Sequence, residues 1–213
     1  MMRPTDAADA ARLGADAIGI ILYAPGARRL IDLNTARQII DAVPPYVSVV
    51  GVFVNAPTHE LRAISTALGL STVQMHGNET PADIADVAPL RVIKAVRLDS
   101  ASAESTLGFW KTHVESGSIP NLVGLLLETP ATSHAGGTGV ANDFDLIQRL
   151  TEQNAFVGLP PIIVSGGLVP DNVRDVVRRL RPYAVDVSSG IETSVGVKSI
   201  ERMKSFIEQA VDV

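Results

Sequence analysis

The chain of 213 residues contains no cysteine. That excludes disulfides, thiolate metal sites and any cysteine nucleophile or base. Aromatic residues make up only 4% of it, so its core has to be aliphatic. No apolar run is long enough to span a membrane, although the mean hydropathy is slightly positive at +0.23. No basic segment precedes an apolar one at the N-terminus, so no signal peptide is expected and a cytoplasmic location is the default. The net charge of −5 offers no nucleic-acid surface, and Arg178, Arg179 and Arg181 read as a solvated helix end. What remains is 46% hydrophobic and 19% charged, the balance of one globular domain over residues 1–213 with a sizeable core.

Apolar strand-like runs alternate with helical segments along the whole chain. Thr5 reads as the cap of a short alanine-rich helix over 7–13 that Gly14 stops. A strand over 17–22 and a loop over 23–33 follow, then a helix capped by Asn34 that runs to about Val43 and is broken by Pro44 and Pro45. The run Val47 to Val54 is apolar at nearly every position, as in a parallel sheet covered on both faces by helices. Further strands are expected over 72–76, 91–98, 122–127, 162–164 and 184–187, with helices over 58–68, 81–87, 102–114, 144–153, from Asp171 onward, and 198–211. Seven strands alternating with helices imply a parallel α/β sheet, either doubly wound or closed as a barrel.

The stretch from Pro161 to Glu192 favours the barrel. Strand 162–164 runs into Gly166 and Gly167, and strand 184–187 runs into Ser188, Ser189 and Gly190. Glycines let backbone N–H groups approach an anion, and serine hydroxyls add donors. In a β/α barrel, a phosphate site is often built from the loops after the last two strands. The plainer alternative is that both are only strand-to-helix turns.

The segments RPTDAADAARLGADAIGIIL, VVGVFVN, VQMHGNE, VIKAVR, GGTG, SGGLVPDNV and YAVDVSSGIE followed by GVK, in this order and spacing, resemble the phosphoribosylanthranilate isomerase family from Arg3 to the C-terminal helix. The resemblance implies an eight-stranded β/α (TIM) barrel. It also implies an isomerase of tryptophan and aromatic amino-acid biosynthesis, performing an Amadori rearrangement of an aminoaldose phosphate without metal or organic cofactor. The expected partner is this small-molecule substrate, with no nucleic acid and no membrane. A general acid protonates the ribose ring oxygen, and a general base removes the proton at the second carbon. In the family, the base is the cysteine of a Lys-Ile-Cys-Gly motif on the first strand, before the segment matching Arg3 and Pro4. That strand is absent here, so seven strands are visible and the general base is missing. The family's general acid is an aspartate at the end of strand six, where this chain has Glu128, and Val140 replaces a long polar residue after GGTG. Activity impaired by the missing base is therefore the expectation.

The resemblance assigns further residues. Glu128 ends an apolar strand expected to raise its carboxyl pKa, as a general acid requires; its alternative is a loop-capping carboxylate. Arg29 corresponds to the arginine that binds the anthranilate carboxylate, and His76 to a histidine at the mouth of the site; both have structural alternatives. Gly136, Gly137, Thr138 and Gly139 read as a lid over the substrate or as a simple turn. Gly166, Gly167, Ser188, Ser189 and Gly190 are expected to hold the 5′-phosphate. Lys94 and Asp186, both set in apolar strands, are paired as core polar residues under the site. His59, His113 and His134 are assigned to the surface. Asp6 and Glu192 are titratable, but nothing marks either as a substitute base. The alternative functions are a non-catalytic barrel that binds a phosphorylated ligand and another sugar-phosphate isomerase. Without a first strand, the edges at 17–22 and 185–187 lose a shared neighbour. An open seven-stranded barrel, self-association across the gap, or a natural chain that starts further upstream would each account for this.

Overall fold

A computed structural model describes residues 1–128 and 143–211. Seven parallel strands form one sheet in sequential order, β1 (Ala17–Tyr23), β2 (Ser48–Phe53), β3 (Thr72–Met75), β4 (Arg91–Arg97), β5 (Leu122–Glu128), β6 (Ile162–Val164) and β7 (Ala184–Val185). Helices α1 (Pro4–Leu13), α2 (Leu33–Ala42), α3 (Thr58–Leu68), α4 (Pro81–Asp86), α5 (Ala103–Glu115), α6 (Phe144–Glu152), α7 (Pro170–Leu180) and α8 (Ile200–Val211) alternate with the strands. A short antiparallel hairpin, β8 (Glu192–Ser194) with β9 (Val197–Lys198), lies between β7 and α8.

The alternation of side chains along each strand separates two environments. In β1, Ile18, Ile20 and Leu22 are buried and join the same apolar cluster as Ala7, Ala10, Ala36 and Ile39 of the helices, whereas Ala17, Gly19 and Ile21 line a cavity. β2 follows the same rule. Phe53 is fully buried while Val52 faces the cavity, so the strand is not covered on both faces as its apolar run suggests. β5, in the middle of the sheet, comes nearest to that expectation, with four successive buried residues from Gly124 to Leu127. The cluster is largely aliphatic, as the composition requires; among the described residues, its buried aromatics are Phe53, Trp110 and Phe206.

The sheet is a curled half-barrel of seven strands. β1 and β7 stand at opposite ends of the strand order, yet Ala17, Gly19 and Ile21 wall the same cavity as Asp186 to Ser188. Two edge groups of β1 have partners: the Gly19 carbonyl accepts from the amino group of Met1, and the Ile21 carbonyl accepts from the Ile31 N–H at 3.1 Å.

Two helix starts differ from the sequence expectation. Pro4, not Thr5, opens α1: its ring presets the helical φ, and the N–H it lacks would have no partner in the first turn. α2 is capped by Asp32, whose carboxylate accepts from the Thr35 N–H at 2.7 Å, so Asn34 lies inside the helix. Among the described residues, no helix is long and apolar enough to cross a membrane.

Candidate functional site

A cavity of about 440 Å³ opens at the C-terminal ends of the strands and extends along the space between β1 and β7. It is walled by Arg29, His76, Glu128, the turn Ser165–Leu168 and the segment Asp186–Gly190, together with Glu192 and Lys198.

The two small-residue turns meet. Gly166 and Gly167, one residue past the end of β6, both have positive φ, 83° and 68°, a conformation costly for any residue with a Cβ. Gly190 sits against the carbonyl oxygen of Leu168 so closely that any Cβ there would collide with it. The sequence separates these turns by twenty residues of helix and strand, but adjacent parallel strands β6 and β7 deliver them side by side.

His76 and Glu128 form a pair across the mouth, with Nε2 3.3 Å from Oε1. β3 ends at Met75, and the His76 N–H still bonds the Phe53 carbonyl at 2.7 Å, which holds its backbone in line with the sheet. The Gln74 amide lies 2.6 Å from His76 Nδ1; when its nitrogen donates, Nε2 carries the hydrogen that faces Glu128. The Ser165 hydroxyl adds a long contact of 3.5 Å to the same carboxylate oxygen. This geometry reverses one expectation. The bond from His76 holds the Glu128 carboxyl below the usual range and outweighs burial, which pushes it up. His76 is raised by that bond, against burial. When the pair holds a single proton, that proton therefore resides on the imidazole side.

Arg29 is anchored by Glu192: Nε donates to Oε1 at 2.8 Å and Nη2 to Oε2 at 2.6 Å. Lys198 Nζ donates to the same Glu192 Oε1 at 3.1 Å and to the Ser188 carbonyl at 2.7 Å. Burial pushes the Glu192 carboxyl up, but the two cations outweigh it and hold the group at about 2. Asp6 is a structural tie, accepting the Lys198 backbone N–H at 3.0 Å.

The pairing of Lys94 with Asp186 is incorrect. Lys94 Nζ reaches Glu79 at 2.9 Å and the carbonyls of Met75, Gly77 and Ala95. Glu79 also accepts the N–H groups of Asn55 and Gly77. The reason is strand order: β4 adjoins β3, whose following loop carries Glu79, whereas β7 lies three strands away. Asp186 stands on the cavity wall, with its carboxyl raised by burial against the pull of His76. His59 is exposed, and His113 packs its ring edge-on to Phe109 and contacts Ser118. Gly136, Gly137, Thr138, Gly139, Val140 and His134 lie outside the described residues.

Sequence reasoning missed the Arg29–Glu192–Lys198 cluster and the hairpin that builds it. The available signal was Glu192-Thr-Ser-Val-Gly196-Val-Lys198, β-branched residues around a glycine turn.

A family model described as N-(5′-phosphoribosyl)anthranilate isomerase matches residues 1–209. An N-(5′-phosphoribosyl)anthranilate isomerase of Pseudomonas aeruginosa is 38% identical over 206 residues, which is 97% of this chain and 90% of that protein. The one from Pseudomonas fluorescens is 39% identical over 205 residues, 96% and 92% of the two chains. Among solved structures, the phosphoribosyl anthranilate isomerase of Thermotoga maritima superposes with a TM-score of 0.83 at 33% identity, covering 100% of this chain and 96% of that one. A second crystal structure, of the isomerase in complex with reduced 1-(o-carboxyphenylamino)-1-deoxyribulose 5-phosphate, gives 0.81 at 32% identity with the same coverage.

Proposed function

Because the chain belongs to the N-(5′-phosphoribosyl)anthranilate isomerase family, we propose that it binds N-(5′-phosphoribosyl)anthranilate in the cavity at the strand ends and isomerises it to the carboxyphenylamino-deoxyribulose phosphate of tryptophan biosynthesis. The observation that carries this reading is the close approach of Gly190 to Leu168, next to Gly166 and Gly167, on a cavity that also holds Arg29, His76 and Glu128. The turns would take the 5′-phosphate through backbone N–H groups and serine hydroxyls. Arg29 would take the anthranilate carboxylate, since a guanidinium matches that planar anion.

In the reaction, the ring oxygen gains a proton as the C1–O bond breaks, giving an imine. The proton at C2 then leaves to give an enolamine, which tautomerises to the ketone. The His76–Glu128 pair supplies the first proton: it moves from His76 Nε2 to the Glu128 carboxylate, which passes it to the ring oxygen and is left ionised, with His76 neutral. Such a group contributes about 10²–10⁴-fold to the rate. These 213 residues hold no cysteine to take the C2 proton; in a chain of these residues alone it passes to water, and turnover is slow.

A second reading, a barrel that binds the phosphorylated ligand without converting it, is favoured by that same absence. Mixing the chain with freshly made phosphoribosylanthranilate and following anthranilate fluorescence separates the two. Loss above the uncatalysed rate supports the isomerase; saturable binding of the reduced product analogue without turnover supports the second. A cytoplasmic location belongs to the same proposal, as does weak self-association across the β1 and β7 edges. Among the described residues, each of these strands pairs with one neighbouring strand in the sheet.

A further inference from the structure

Three side chains on the cavity wall form one connected unit whose ends lie in different parts of the site. Glu192, at the start of β8, is almost wholly buried and serves two cations at once. On one side, it grips Arg29 through Nε and Nη2. A guanidinium has five N–H donors, so both Nη1 hydrogens and one on Nη2 stay available on the edge that a ligand carboxylate would meet. On the other side, Glu192 holds Lys198, whose ammonium donates to the carbonyl of Ser188, the first residue of the Ser188–Gly190 turn. Its own backbone is fixed as well, because the Arg202 guanidinium donates to the Glu192 carbonyl. Arg29 belongs to the loop between β1 and α2, and the turn follows β7, so the bridge spans the two ends of the sheet.

The unit carries two positive charges and one negative. Without the carboxylate, two cations would stand together in a partly dry wall and repel each other; Lys198 is already pushed down by burial, with Glu192 pulling it back. A long arginine side chain on a loop also loses rotamer freedom when it binds. Holding it beforehand removes that cost.

We propose that Glu192 is a positioning residue: through Arg29 on one side and Lys198 on the other, it fixes the distance between the carboxylate-reading and phosphate-reading parts of the cavity. The site therefore selects ligands that carry an aromatic carboxylate and a sugar phosphate at one separation, over ligands with either anion alone. The inference rests on the proposed function, because that reading assigns the two anions to Arg29 and to the turn.

The test is calorimetric titration of the intact chain, wild type first, with reduced 1-(o-carboxyphenylamino)-1-deoxyribulose 5-phosphate and separately with inorganic phosphate. Wild type binds the analogue. Glu192→Gln, which keeps shape and one acceptor, weakens the analogue about tenfold, whereas phosphate affinity changes less than about twofold, as expected when orientation rather than local contact is lost. Lys198→Gln weakens the analogue likewise, and because Lys198 also holds the Ser188 carbonyl, phosphate affinity falls as well, but by less than that of the analogue. Where turnover is measurable, KM rises in both variants with kcat changed less than about threefold. An analogue affinity unchanged in both variants overturns the inference and leaves the functional reading standing. So does a parallel fall in analogue and phosphate affinity, the mark of general loosening. A wild-type chain that does not bind the analogue overturns both.

Discussion

Glu128 and His76 share one proton, and its location sets the pH behaviour of the site. The contact raises His76 above its ordinary 6.5 and lowers Glu128 below 4.5, so the ion pair persists between those two limits. The proton donor is lost only as pH rises through the elevated histidine value. We expect kcat to fall on an alkaline limb above pH 6.5, and His76→Asn to remove that limb; a pH–rate profile of both proteins checks it. Glu128→Gln should cost about 10²–10⁴-fold in kcat and leave KM nearly unchanged. Glu192 titrates at the opposite end of the scale. Its carboxyl is lowered from 4.5 to about 2, so its ion pairs stabilise the fold fully above pH 4.5 and lose that contribution as pH falls through about 2. The difference in unfolding free energy between wild type and Glu192→Gln, at most about 3 kcal/mol at neutral pH, should shrink as urea melts are taken from pH 5 down to pH 2. At this scale, the sequence was partly legible. Arg29, His76 and Glu128 follow strands of recognisable apolar pattern, and all three reach the cavity. Their partners were not legible, because Arg29 and Glu192 are 163 residues apart and nothing local marks the contact.

Between the elements, two close approaches hold the site in shape. Lys94 on β4 ties the loop after β3 to the sheet through Glu79 and three carbonyls, all within a wall that excludes water. Removing one member leaves a buried charge without its partner. Lys94→Met is therefore expected to destabilise the protein by about 3–5 kcal/mol, and the double change Lys94→Met with Glu79→Leu by less. Thermal melts of the two proteins measure this. Gly190 against Leu168 is the second approach. Gly190→Ala should push the two turns apart and weaken inorganic phosphate binding at least about tenfold, by loss of donor geometry; phosphate titration reads it directly. The strands were well legible because a parallel sheet is built from apolar runs, and the bounds of α3 and β6 agree to the residue. The helix caps were not. Thr5 and Asn34 have good capping chemistry, but Pro4 and Asp32 stand one and two residues earlier and reach the helix first. The β8–β9 hairpin escaped because its strands are only three and two residues long, too short for alternation to register.

Across the molecule, seven sequential parallel strands curl until the first and last share a cavity, and that curvature turns separate strand ends into one site. The barrel class was legible from the repeated strand–helix alternation and from the tandem glycine and serine turns. Their closeness was expected from the same pattern, and strand order supplies the reason, because β6 and β7 are neighbours. If the β1 and β7 edges associate, sedimentation velocity should show an average mass that rises with concentration; a constant monomer mass removes that proposal. Function in this cavity depends on where the substrate's two anions sit. A crystal structure of the chain with reduced 1-(o-carboxyphenylamino)-1-deoxyribulose 5-phosphate tests this most directly. The phosphorus should lie between the Gly166–Gly167 and Ser188–Gly190 turns, with the carboxylate on the free edge of Arg29. A phosphate outside those turns, or a carboxylate remote from Arg29, would contradict it.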